Sequence, residues 1–272
     1  MNTEKEVRLN GLELNQWENY LRFVKNPDNY KEASQTLSIG STDGLAPAEY
    51  ANLFGYLPQY RKLVKKYIIP KLENRKTVFG KALAIMHWLT QNTFYSGAQT
   101  AVLPDDSLKI LDYAFGQGFD HAINCRYKVI LLTDLLIAHG IMAYPIALED
   151  GNHWGGHFVV HVFCPDENKW VVLDPSFNCC FQDKSNTVLN IFELRDLRLR
   201  NQTPAVIGYS FNGTDACMDI YLQYFVGVTL THITTWESNS NDGRNTTDIC
   251  RRKAFRAKLP KLDAIQDYIQ NN

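Results

Sequence analysis

The 272-residue sequence has no excess of charge of either sign, since 28 lysine and arginine residues face 29 aspartate and glutamate residues. A nucleic-acid or polyphosphate partner favours a basic surplus, so the composition gives no support for such a partner. The chain is 45% hydrophobic and long enough to bury a large core. These values fit one large domain, or one domain with elaborations.

The sequence also lacks an apolar signal region in its first residues and an apolar run long enough to cross a membrane. The most apolar stretch, residues 128–148, is interrupted by Thr133, Asp134, His139 and Gly140, and so falls short of the roughly 18 apolar residues of a span. The six cysteines are sparse and include no C-x-x-C pair, which argues against a zinc site. We therefore expect a cytoplasmic protein with reduced thiols, no membrane contact and no cofactor.

The order of the predicted elements indicates an α+β fold. The first hundred residues read mainly as helices, of which 78–91 is the clearest, and a helix over 108–115 follows. Another helix is predicted from the N-cap residue Asn124 to about Ala138, with a left-handed cap at Gly140. This helix is apolar on nearly every side and should be buried. Antiparallel strands are then predicted at 141–148, 157–163 and 170–174.

The last two of these strands form a predicted hairpin. A type I turn over residues 164–167 places His157 directly opposite Asp174 on one face, with Cβ atoms about 5 Å apart. A carboxylate at that distance can fix the tautomer of the imidazole. His161 shares the face but lies about 13 Å further along the strand, too far to act on the same reacting centre.

Cys125 completes a candidate catalytic set. At a helix N-terminus the unpaired N–H groups and the helix dipole favour the thiolate, and the same N–H groups can bind an oxyanion, with Asn124 assisting. A lone cysteine in an apolar helix is usually a small core residue, and a lone histidine on a strand is usually structural. The three residues together are more specific, because the hairpin brings two of them into contact without any assumption about function.

The residues that carry a family resemblance lie between positions 77 and 178. They are Asn124-Cys125-Arg126, His139-Gly140-Ile141, the strand from Gly156 to Phe163, and the strand Trp170-Val171-Val172-Leu173-Asp174-Pro175-Ser176-Phe177-Asn178. In order and spacing they resemble the core of the transglutaminase-like superfamily. Two positions depart from it, since Val159 and Arg126 stand where many members have tryptophan.

The resemblance implies a papain-like core in which the helix of the nucleophile packs on an antiparallel sheet. It implies acyl transfer through a thioester, with Cys125 as nucleophile, His157 as base and Asp174 as the residue that orients the base. Three further residues are candidates for support or oxyanion binding: Asn124, Trp170 and Asn178. The acyl donor would be a peptide, a protein or a small amide or ester, and the acceptor an amine or water. The choice among these does not follow from the family.

The resemblance divides a single domain of residues 1–272 into a helical N-terminal elaboration (1–76), the transglutaminase-like core (77–178) and a C-terminal elaboration (179–272). Two alternatives remain open. One is a catalytically silent member of the same fold that binds a peptide or partner. The other is a metal protein that uses His153, His157 and His161. Side chains at this i, i+4, i+8 spacing would converge on one metal ion only if the segment were a helix. The valines between the histidines indicate a strand, so no metal site is expected.

Overall fold

The structure is a computed structural model of the chain. It describes residues 58–97, 101–104, 106–149, 156–167, 169–191, 193–194, 197, 200, 202–215, 218 and 232–235. The helices predicted before residue 58 and most of the C-terminal elaboration lie outside these ranges.

Within the described ranges, four α-helices precede the sheet: α1 Pro58–Lys66, α2 Val78–Asn92, α3 Ser107–Ala114 and α4 Cys125–Ala138. Polar caps explain where they begin. The Thr77 hydroxyl accepts a hydrogen bond from the Gly80 N–H at the start of α2, and the Asp106 carboxylate accepts from the first turn of α3. The predictions for α2, α3 and α4 are therefore confirmed to within about a residue at each end.

Helix α4 lies at the centre of the described structure. Its residues 127–137 are all buried, as the apolar sequence on every side of the helix requires. At its end, the Gly140 N–H donates to Ile137 O and the Ile141 N–H donates to Leu136 O, each at 2.9 Å. Gly140 has φ 74°, so the predicted left-handed cap is confirmed as a Schellman motif. The cap turns the chain directly into the sheet.

The described strands are β1 Ala143–Glu149, β2 Gly156–Cys164, β3 Lys169–Asp174, β4 Cys179–Gln182, β5 Ala205–Ile207 and β6 His232–Thr235. They form one sheet in the order β5-β4-β3-β2-β1-β6. Every neighbouring pair is antiparallel. Helices followed by an antiparallel meander make an α+β fold, as the order of predicted elements indicates.

The helices cover one face of the sheet, where α4 packs against β1 and β2. The side chains on this face of β2 and β3 belong to the main hydrophobic core: Val160, Val162, Val171 and Leu173. The opposite face is buried too, and each of its residues on these strands is at most 1% exposed: His157, Val159, His161, Trp170, Val172 and Asp174. The predicted placement of His157, His161 and Asp174 on one face of the sheet is therefore confirmed. Leu189 reaches this part of the sheet through its carbonyl, which accepts from the Val172 N–H at 3.0 Å.

In the described part of the chain, no helix combines the length and the hydropathy that a membrane span needs.

Candidate active site

Cys125 is the first residue of α4, and its position follows from the cap that precedes it. The Asn124 side-chain oxygen accepts a hydrogen bond from the Tyr127 N–H at 3.2 Å. The first hydrogen bond of the helix runs from the Lys128 N–H to Asn124 O at 3.0 Å. The Cys125 N–H therefore lies before the helical ladder, at the positive end of the helix dipole. The residue is buried, with 9% of its surface exposed.

His157 and Asp174 are joined by a hydrogen bond across neighbouring strands. Nε2 of His157 lies 2.7 Å from Oδ2 of Asp174, and both side chains are fully buried. The second carboxylate oxygen, Oδ1, accepts the Ser176 N–H at 2.8 Å. Because Ser176 belongs to the turn that follows β3, the local backbone orients the carboxylate toward the imidazole.

The register of this strand pair differs from the predicted one. The hairpin loop comprises residues 165–168, one residue later than the predicted loop 164–167, and it contains the short 3-10 helix Pro165–Glu167. Asp174 is consequently offset by two residues from the position opposite His157. An offset of two keeps both side chains on one face, and the diagonal separation of about 7–8 Å remains within reach of a long side chain. The prediction of direct opposition was wrong, whereas the predicted contact is present.

Cys125 also interacts with the His157 imidazole and contributes to its raised pKa. Burial by itself lowers the pKa of His157, but the charge of Asp174 and the hydrogen bond to it outweigh burial. A hydrogen bond and a charge interaction with Cys125 act in the same direction, and together they raise the pKa of His157 to about 10. Because Nε2 bonds to Asp174, Nδ1 is the ring nitrogen left for an interaction with the sulfur. The structure thus brings together all three residues of the predicted set, with the imidazole favoured in its protonated form.

An aromatic cluster packs against the imidazole. The Phe177 ring lies 5.9 Å from the His157 ring and is fully buried. Three other rings contact Phe177 at centroid distances of 5.4 to 5.9 Å: Tyr95, Tyr209 and Phe211. This apolar surround keeps water from one side of the imidazole and strengthens the electrostatic interactions there.

The chain that follows β5 is held against this cluster by hydrogen bonds to backbone groups. The Asn212 side chain accepts the Tyr95 N–H at 2.7 Å and donates to Tyr95 O at 2.9 Å. The Ser210 N–H donates to Phe177 O at 2.8 Å. A described part of the C-terminal elaboration therefore contributes to the surroundings of His157.

Asn124 and Asn178, two of the predicted supporting residues, hold backbone in place. Asn124 caps the helix that carries Cys125. Asn178 has a left-handed backbone with φ 51°. Its Nδ2 donates to Gly208 O at 3.0 Å and lies 3.1 Å from Nδ1 of His87. Asn178 therefore ties the turn after β3 to α2 and to the chain after β5.

Trp170, the third supporting candidate, lies beside His161 and away from the reacting centre. It precedes Asp174 by four residues on β3, about 13 Å along the strand, and its ring stacks on His161 at 6.2 Å. Nε2 of His161 accepts the Ile191 N–H at 3.0 Å, and burial lowers the pKa of His161 to about 3. This histidine is neutral and structural. His153, which the metal hypothesis requires, lies outside the described residues.

Lys128 and Phe177 belong to the surroundings of the site, and the sequence did not single out either of them. Lys128 follows Cys125 by one helical turn and is only 1% exposed. A lysine inside a helix that is predicted to be buried on every side was the available signal, because lysine is rarely buried without a partner. Nothing in the local pattern around Phe177 distinguishes it from an ordinary core aromatic residue.

No protein-family model, curated protein or solved structure matches the chain. The geometry of the site and the motifs between residues 124 and 178 are therefore the basis for a function.

Proposed function

We propose that the protein is a thiol-dependent acyltransferase or amide hydrolase with a papain-like core of the transglutaminase-like kind. Cys125 is the nucleophile, His157 the general acid and base, and Asp174 the residue that orients the imidazole. One observation carries this proposal. A thiol at a helix N-terminus and a carboxylate from a neighbouring strand both act on one buried imidazole.

The order of elements supports the papain-like part of the proposal. The helix of Cys125 packs on an antiparallel sheet whose strand β2 carries His157 near its start. The next strand, β3, ends at Asp174. A nucleophile, a base and an orienting group on rigid elements are held with little conformational freedom, as nucleophilic catalysis requires.

In the first half-reaction, the Cys125 thiolate attacks the carbonyl carbon of an amide or ester. The carbon–sulfur bond forms as the carbonyl electron pair moves to oxygen, where the Cys125 N–H is a donor for the oxyanion. The oxyanion pair then re-forms the carbonyl, the carbon–nitrogen bond of the amide or the carbon–oxygen bond of the ester breaks, and the His157 imidazolium gives its proton to the leaving amine or alcohol. The product of this step is a thioester on Cys125.

In the second half-reaction, water or an amine attacks the thioester and His157 accepts the proton from the attacking atom. The carbon–sulfur bond breaks, and the electron pair returns to the sulfur as thiolate beside the imidazolium. Asp174 keeps the imidazole in one tautomer and stabilises its charged form, in the manner of the carboxylate in a catalytic triad. The acyl donor is a peptide, a protein or a small amide or ester.

Iodoacetamide labelling of the intact protein, read by peptide mass, tests the proposal. We expect Cys125 to be alkylated first near neutral pH, because its thiolate is stabilised by His157. Cys164 is the internal comparison, since it is fully buried and burial, together with nearby carboxylates, raises its pKa to about 12. Equal labelling of the two cysteines would contradict the proposal.

Turnover is tested by intact-mass detection of an acyl adduct with a panel of amides and esters, with and without amines. We expect the adduct on the wild-type protein and on Cys164→Ala, and a loss of turnover of at least about a thousandfold in Cys125→Ala. A reactive Cys125 that forms no adduct with any member of the panel would favour the catalytically silent, partner-binding alternative.

A further inference from the structure

Lys128 is a buried lysine in the first turn of the helix that carries Cys125. Its ammonium donates to the Thr93 carbonyl and to the Thr93 hydroxyl, each at 2.6 Å. Thr93 directly follows α2 and is itself only 1% exposed. These two hydrogen bonds orient Nζ, but an uncharged threonine cannot neutralise it.

Lys128 lies close to the proposed active site. Cys125 precedes it by three positions on the same helix, so the two side chains are neighbours on the helix surface. Thr93 lies two positions before Tyr95, whose ring packs on Phe177 beside the His157 ring. Burial lowers the pKa of Lys128 to about 7, and the Asp174 carboxylate acts in the opposite direction. The other titratable members of the site are His157 on β2 and Cys125 on the same helix.

The charges of the site suggest what this lysine does. In the reactive form, Cys125 is a thiolate, His157 an imidazolium and Asp174 a carboxylate, so the three groups together carry a net negative charge. Each of them is at most 9% exposed, and an uncompensated buried charge is costly. A protonated Lys128 makes the set of four neutral.

We propose that Lys128 is a positioning residue that supplies the positive charge opposite Asp174 and thereby favours the form of the site in which Cys125 is a thiolate. This inference rests on the proposed function, which identifies Cys125 as the reacting group. Lys128 acts through Asp174 and through the net charge of the site, and it has no role as nucleophile or proton donor. Removing its charge disfavours the thiolate form, so the thiolate appears only at higher pH.

The test is the pH profile of Cys125 alkylation by iodoacetamide in the full chain. Two neutral variants are used: Lys128→Met, and Lys128→Gln, which retains an N–H donor for the Thr93 oxygens. We expect the midpoint of the profile to rise by about one pH unit in both variants, and the rate below the midpoint to fall about tenfold. Lys128→Arg, which keeps the charge, should retain the wild-type midpoint.

Lys169→Met is the matched control, because it removes a positive charge from the far end of β3, where Lys169 pairs with Glu193 at 2.8 Å. Its midpoint should be that of the wild type. An unmoved midpoint in both neutral variants would overturn the role of Lys128, as would an equal shift in the Lys169 control. A wild-type midpoint at the value of a free cysteine, about pH 8.5, would instead contradict the proposed function.

Discussion

At the scale of single residues, two histidines on one strand show that the environment decides the charge. His157 and His161 lie four residues apart on the same buried face of β2. Burial lowers the pKa of both, but Asp174 and Cys125 reverse the shift at His157, whereas at His161 the effect of burial prevails. The first imidazole is suited to hold a proton, and the second is suited to accept a backbone hydrogen bond.

His161 should make the protein sensitive to acid. Its pKa is about 3 in the folded protein against an ordinary value of 6.5, so the unfolded chain binds more protons between these two pH values. The stability that neutral His161 contributes is complete above pH 6.5 and is lost as the pH falls toward 3. His161→Gln keeps an acceptor for the Ile191 N–H. As the pH falls from 6.5 to 3, we expect its free energy of unfolding to decrease less steeply than that of the wild type, with slopes that differ by up to about 1.4 kcal/mol per pH unit.

Urea denaturation at several pH values between 3 and 7 measures this difference. His121→Gln is the control. His121 is half-buried, lies outside the sheet, and packs its ring beside Tyr113. Parallel stability curves for the wild type and His161→Gln would show that His161 is not the source of the acid sensitivity.

At the scale of elements, helix α4 shows how local signals place a reactive group. Asn124 starts the helix through its side chain, and Gly140 ends it through a positive φ. Both residues were identified from the sequence, because N-caps and left-handed C-caps depend on the chemistry of one residue and its immediate neighbours. The position of Cys125 at the helix N-terminus follows from the first of these caps.

The two ends of α4 make a matched pair for mutation. Asn124→Ala removes the cap. Gly140→Ala adds a Cβ to a residue with φ 74°, and this Cβ would meet no atom within 4 Å apart from those of its two chain neighbours. We expect each to lower the free energy of unfolding by about 1 kcal/mol. Only Asn124→Ala should also slow the alkylation of Cys125, because only it disturbs the first turn of the helix.

Denaturation and iodoacetamide kinetics on the same samples separate the two effects. If Gly140→Ala slowed alkylation as much as Asn124→Ala, the reactivity of Cys125 would depend on overall helix stability, and the local role of the cap would be ruled out.

At the scale of the whole molecule, the surroundings of the site come from residues far apart in the chain. Asn212 bonds the backbone of Tyr95 over a separation of 117 residues. Tyr95 in turn packs on Phe177, which contacts the imidazole. The described part of the C-terminal elaboration is therefore part of the structure that surrounds His157.

Asn212→Ala should lower the free energy of unfolding by about 1–3 kcal/mol, because it leaves the buried N–H and carbonyl of Tyr95 without these hydrogen bonds. Asn186→Ala is the control. Asn186 also has a left-handed backbone, with φ 62° against 49° for Asn212, but it is exposed in a turn after β4. The two substitutions share the backbone strain, so their difference in chemical denaturation isolates the contacts with Tyr95. Equal losses would mean that these contacts contribute little.

The hairpin shows where prediction from sequence stops. Counting along both strands from the turn assigned His157 and Asp174 to one face, because side chains on a strand alternate with a period of two. The register depended on the conformation of the turn, and the short helix Pro165–Glu167 moved it by one residue on each strand. A sequence pattern of Pro, Asp and Glu does not distinguish this turn from the predicted type I turn.

The sequence alone determined the order of helices and strands and the caps of α4, because each of these depends on neighbours within a few positions. It also placed His157 and Asp174 on one face, because strand side chains alternate with a period of two. Only the tertiary structure decided which buried polar groups meet. It brought the Lys128 ammonium to the Thr93 oxygens, the His161 ring to a backbone N–H, and the Asn212 side chain to Tyr95. The reason is that a buried polar group must find its partner among residues brought close by packing, and no local pattern in the chain records which residues those are.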